Sequence, residues 1–91
     1  MSTQIILEKI DKRLRGYDCM LIETGGKYDG KSLIDECLFL SSEYLQSGGN
    51  KENISLLLKE ILSVYEDEKG WKYLEKMLCF LNEFNKALHT V

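Results

Sequence analysis

The sequence predicts an all-α fold: a small up-down bundle of four helices with short glycine-containing loops. Three observations predict it. Apolar residues recur at spacings of three and four through most of the 91 residues, which is the period of one helical face. The seven glycines fall mainly between those stretches, and proline is absent, so the chain has helix stops without its strongest helix breaker. The length suits one domain, residues 1–91, built on one core.

The first helix is expected to start near Ser2 or Thr3. Ile6, Leu7, Ile10, Leu14, Tyr17 and Leu21 share one face. Gly16 interrupts that face at about 1 kcal/mol relative to alanine, so the helix kinks or stops there. A helical continuation is preferred beyond it, although Cys19, Met20, Leu21 and Ile22 also suit a short strand. Gly25, Gly26 and Gly30 mark residues 25–31 as a loop.

Ser32 followed by Asp35 resembles a capping box and predicts the second helix start, with aspartate in the usual glutamate place. Leu33, Ile34, Cys37, Leu38, Ser41, Tyr44 and Leu45 form its inner face, and Gly48-Gly49 ends it as a left-handed cap. Asn50 is the expected N-cap of the third helix, whose buried stripe is Ile54, Leu57, Leu58, Ile61, Leu62 and Tyr65. That helix should end within Glu66-Asp67-Glu68, because negative charge is disfavoured at a helix C-terminus. The fourth helix is expected from Trp71 onward on Leu74, Met77, Leu78, Leu81, Phe84 and Leu88. Short loops between such helices favour antiparallel neighbours.

Composition narrows the function classes. The net charge is −3, and residues 25–69 hold five basic against nine acidic residues. A dedicated nucleic-acid binder carries a basic stripe instead. The densest basic cluster, Lys9, Lys12, Arg13 and Arg15, is interleaved with Glu8, Asp11 and Asp18 and reads as a salt-bridged exposed face. No apolar run approaches a membrane span, and the N-terminus lacks a basic-then-apolar signal pattern. A cytoplasmic location is therefore expected. Cys19, Cys37 and Cys79 are widely spaced and form no disulfide framework.

The residues nominate no catalytic group, metal site or cofactor. His89 is the single histidine, with no second ligand at metal spacing. Gly25-Gly26-Lys27 lacks phosphate-loop spacing, and Tyr28-Asp29-Gly30 is a turn without the oxygen ligands of a calcium loop. Asp35 and Glu36 read as compensation of a helix dipole. Cys37 falls on a core stripe. Cys79 lies among Glu75, Lys76, Glu83 and Lys86 and reads as an exposed cysteine; a reactive thiol is the sharper alternative. An enzyme is not expected.

More informative are apolar residues displaced from the core stripes. Phe39 shares a side with Asp35, Glu43 and Gln46; Leu56 and Val64 lie two turns apart, opposite Ile61; Tyr73 and Phe80 widen the fourth helix's apolar arc; Ile5 is displaced on the first helix. Aromatic and aliphatic anchors rimmed by carboxylates match the anatomy of protein interfaces. The expected partner-binding residues are Phe39, Glu43, Leu56, Val64, Glu66, Asp67, Glu68 and Phe80. Tight winding of the bundle over these residues is the competing explanation.

In size, acidity and helix count the chain resembles several classes of small bacterial binding protein: toxin- and bacteriocin-immunity proteins, phage-encoded inhibitors and secretion chaperones. The likeness is one of fold class and constrains function weakly; the proline-free composition with its lysine, isoleucine and asparagine fits a bacterial or phage source. The expected function is an inhibitor or immunity-type module that neutralises a basic partner, such as a nuclease toxin, by occluding its basic site. The rival is a structural or regulatory homo-oligomer, for example a homodimer joined through the displaced residues.

Overall fold

A computed structural model describes residues 2–90. They form α1 (Thr3–Arg15), α2 (Tyr17–Thr24), α3 (Lys31–Gln46), α4 (Lys51–Glu66) and α5 (Leu74–Thr90), with no strand among the described residues. The Ser2 hydroxyl accepts from the Ile5 amide at 3.3 Å and starts α1. Gly16 separates α1 from α2 but keeps right-handed dihedrals, φ −68° and ψ −11°. Backbone bonds run across it, from Gly16 N to Lys12 O and from Met20 N to Gly16 O. Residues 17–24 are thus helical, and the strand alternative is set aside.

Two helices end as their glycines foretell. Gly26 N bonds to Leu21 O and Gly25 N to Ile22 O at the end of α2. Gly49 N bonds to Tyr44 O and Gly48 N to Leu45 O at the end of α3. Both are Schellman motifs, which satisfy carbonyls that a helix end leaves open. Asn50 caps α4, its side chain accepting from Asn53 N at 2.9 Å.

Two helix starts differ from expectation. The chain enters α3 through Gly30 in a left-handed conformation, with no side-chain cap. Asp29 Oδ1 accepts from Lys31 N at 3.0 Å, so the Ser32–Asp35 box does not form. Asp35 and Glu36 lie beyond the first turn of α3, so they do not compensate its dipole as expected; Glu36 pairs with Arg13 at 3.1 Å. α5 begins at Leu74, because residues 67–73 lie in turns, with Trp71 N bonded to Glu68 O and Leu74 N to Trp71 O. Trp71 still packs on the core beside Tyr65, ring centroids 6.0 Å apart.

The core holds Ile6, Ile10, Leu14 and Leu21 with Ile54, Leu58, Ile61, Met77, Leu81, Phe84 and Leu88, each nearly free of solvent. The close helix pairs are α1 with α3, α3 with α5, α5 with α4, and α4 with α1. Chain direction alternates along the sequence. Arg13 meets Glu36, which sets α1 antiparallel to α3. The Tyr65 hydroxyl lies 3.3 Å from the Arg15 carbonyl, which brings the C-terminal ends of α1 and α4 together. α1 and α4 are therefore parallel neighbours. The adjacency expected from short loops fails only for α3 and α4, which are joined by residues 47–50 yet stand at opposite corners.

Phe80, expected at a partner surface, is instead a core residue at 2% exposure. Its ring stacks on Tyr17 with centroids 3.9 Å apart and planes within 3°. The cause is the loop after α2, which folds back over α5. Lys76 Nζ donates to the Gly26 carbonyl, and the Tyr17 hydroxyl donates to the Tyr28 carbonyl at 3.1 Å.

Two buried protons make alkaline stability a test of this packing. Burial, then the bond to Asp18 at 2.8 Å, raises the Tyr65 pKa, and burial pushes the Cys37 thiol up to about 12. Unfolded cysteine and tyrosine release their protons near ~8.5 and ~10. The fold holds these protons longer than the unfolded chain does. Their contribution is complete below about pH 8.5 and is lost as pH rises toward 12. Urea unfolding at pH 8 and pH 10.5 should show this loss in the wild type and a smaller loss in Tyr65→Phe. Equal losses in both would remove Tyr65 from the account.

Candidate protein-binding groove

A groove of about 720 Å³ runs between α1 and α4. From α1 come Thr3, Gln4, Leu7, Glu8 and Asp11; from α4 come Asn53, Leu56, Leu57 and Glu60. Tyr44 of α3 closes one end, held by a 2.9 Å bond from Asn53 Nδ2 to its hydroxyl. Helical spacing explains the set. Residues 4, 7, 8 and 11 lie on one flank of α1, and 53, 56, 57 and 60 on one flank of α4. Leu7 and Leu57 lie at the edges of the core stripes and the other residues of these flanks lie outside them, so the space between the parallel helices is open to solvent.

Leu7 and Leu57 are half-buried in the floor, and Leu56 is 55% exposed above them. The titratable acids of the lining are Glu8, Asp11 and Glu60, and the lining contains no lysine or arginine. Asp11 Oδ1 also accepts from Arg15 Nε at 2.6 Å, which fixes its position. The bases of α1 lie on the other side. Lys9, Lys12 and Arg13 border a separate hollow of about 670 Å³ between α1, α2 and α3 with Glu36. Glu8 and Asp11 thus face α4 while Lys9, Lys12 and Arg13 face α3, and Arg15 stays paired with Asp11.

Of the residues nominated from sequence, Leu56 lines the groove. Val64 is 44% exposed two turns further along α4, and Glu66, Asp67 and Glu68 are exposed where that helix ends. Phe39 is the most exposed of the large apolar side chains at 65%, with the half-buried Glu43 one turn on. Phe39 opposes the buried stripe of α3, and α3 and α4 stand at opposite corners. The structure therefore does not join Phe39 and Glu43 to the α4 residues in one patch. Sequence reasoning missed Glu8, Asp11 and Glu60 as members of a site. Glu8 and Asp11 were read from sequence as parts of a salt-bridged face, and Asp11 does pair with Arg15.

Cys79 is exposed and borders a smaller hollow of about 410 Å³ with Tyr17, Tyr28, Asp29, Glu75 and Glu83. The ammonium of Lys76, which also borders it, is bonded to the Gly26 carbonyl. Among the described residues no three His, Cys, Asp or Glu side chains form a group able to hold a metal ion, and no helix is long and apolar enough to cross a membrane. Comparison with known proteins returned no matching family, no matching curated relative and no matching solved structure.

Proposed function

We propose that this protein is a small acidic protein-binding module of inhibitor or immunity type, which neutralises a partner by covering that partner's basic site. The α1/α4 groove carries the reading: leucines lie in its floor and carboxylates are its only charged lining groups. Leucines remove apolar partner surface from water, and carboxylates select a basic partner and speed encounter. Leu56, Val64 and the Glu66-Asp67-Glu68 run extend the same chemistry along α4. A nuclease toxin suits such a surface, because its own substrate site must be basic to hold phosphates.

The test is capture from the source cells on immobilised wild type and on Leu56→Asp, at low and high salt. The captured protein is then purified and assayed with and without stoichiometric addition of this chain. The expected result is a basic protein that is lost on Leu56→Asp, released by salt, and inhibited by the wild type. A captured protein whose activity is unchanged by the complex would overturn the inhibitory role.

A homo-oligomer is the second reading, favoured by Phe39, whose exposed ring lies away from the groove. Light scattering from micromolar to near-millimolar protein separates the two. A stable dimer dissociated by Phe39→Asp would support self-association, and a monomer throughout would dismiss it.

A further inference from the structure

We infer that the α1/α4 groove receives a single basic amphipathic helix of the partner, lying antiparallel to both groove walls. This deepens the protein-binding reading above and rests on it. The shape favours a helix. The groove runs from Thr3 to Asp11 on one wall and from Asn53 to Glu60 on the other. At about 1.5 Å per residue this is roughly 12 Å, or about two helical turns. An extended segment laid there would find walls made of helices, whose backbone groups beyond the first turn are bonded within the helix, with Thr3, Gln4, Tyr44 and Asn53 as the uncharged polar side chains. A helix satisfies its own backbone and needs only side-chain contacts.

Charge selects the face of that helix. Leu7, Leu56 and Leu57 require apolar residues at its centre, and the exposed Glu8 and Glu60, one on each wall, select lysine or arginine on its flanks; Asp11 already pairs with Arg15. Basic residues one turn from the apolar row, on either side, would reach the two walls together.

Direction follows from the parallel setting of α1 and α4. Parallel neighbours place both N-terminal dipole ends at the Thr3 and Asn53 end of the groove, and both C-terminal ends near Arg15 and Tyr65. The close pairs α1–α3 and α4–α5 relieve part of this alignment on the outer sides. An occupant antiparallel to both walls relieves it within the groove, with its own C-terminus at the Thr3 end.

The probe is an acetylated, amidated 15-residue peptide of alanine, leucine and lysine, with leucines on one helical face and lysines flanking them. Two controls accompany it: the same composition with leucines scattered, and glutamate in place of lysine. Binding is read on isotopically labelled protein by amide resonance shifts. A spin label at either peptide end reports direction.

The amphipathic basic peptide should shift residues 4–11 and 53–60, and the controls should not. A label at the peptide C-terminus should broaden Gln4 and Asn53, and one at its N-terminus should broaden Asp11 and Glu60. Glu8→Lys with Glu60→Lys, both at exposed sites, should weaken binding roughly tenfold or more, equivalent to about 1.4 kcal/mol, with the thermal midpoint unchanged. Absent shifts, equal binding of the scattered peptide, or shifts centred on Phe39 would overturn the proposal, and reversed broadening would overturn its direction. If the peptide fails while capture of the natural partner still depends on Leu56, the helical mode falls and the occlusion reading stands. If capture also ignores Leu56, the groove reading falls as well.

Discussion

Phe80→Ala should lower the thermal midpoint by more than about 12 °C, the consequence of losing roughly 3–5 kcal/mol in a domain of this size. The ring is 2% exposed, lies flat on Tyr17 at 3.9 Å, and supports the edge of Gly30. Truncation removes the aromatic contact and leaves a cavity bordered by a glycine that has no side chain to fill it. Small domains have total stabilities of about 5–15 kcal/mol, so this one change removes a large share. Phe39→Ala is the matched comparison. That ring is 65% exposed, and its loss should stay within about 0.5 kcal/mol. Circular dichroism melts of the two variants decide the matter. A shift below about 4 °C for Phe80→Ala would mean that the stack adds little to the core.

Gly30→Ala is expected to destabilise by about 3 kcal/mol, through two separable effects. The residue has φ +77°, where a side chain is strained. An added Cβ would lie 2.8 Å from Phe80 Cδ1 and 2.8 Å from Tyr17 Cε1, inside contact distance. Gly25→Ala isolates the first effect, because its φ is +65° and nothing lies within 4 Å of an added Cβ. That control should cost about 1–2 kcal/mol. The excess at Gly30 belongs to the aromatic stack, so it should shrink when Phe80 is also alanine, a non-additivity expected of residues in contact. Denaturant unfolding of the four variants completes the cycle. Equal costs at positions 25 and 30 would show that the stack yields without penalty.

Local signals explain why much of the fold was legible. The stripes on α1, α4 and α5, the Asn50 cap and the left-handed Gly48 each depend on residues within a turn or two. What escaped depends on residues far apart in the chain. Ser32 looked like a cap, but Asp29 and Gly30 had already set the entry to α3. Phe80 looked displaced because the loop covering it comes from the other half of the chain. Leu45, assigned to the inner face of α3, is 38% exposed because that stripe is wider than the surface available to cover it. The groove was invisible for the same reason. Its walls, α1 and α4, are not consecutive, and no pattern within either helix states which other helix stands beside it.

The link at residues 47–50 has a kinetic consequence. It divides the chain into two helical hairpins, α1 to α3 and α4 to α5, each closed by comparatively local contacts. The ties between halves are distant: Tyr65 to Arg15 and Lys76 to Gly26 each span 50 residues. Closing such long loops loses more chain entropy than forming a hairpin, so docking of the halves follows their formation. The groove has one wall from each half and comes into being only at that later step. Opening the chain at this seam would therefore separate the two walls, and the groove would be lost while the contacts within each half remain.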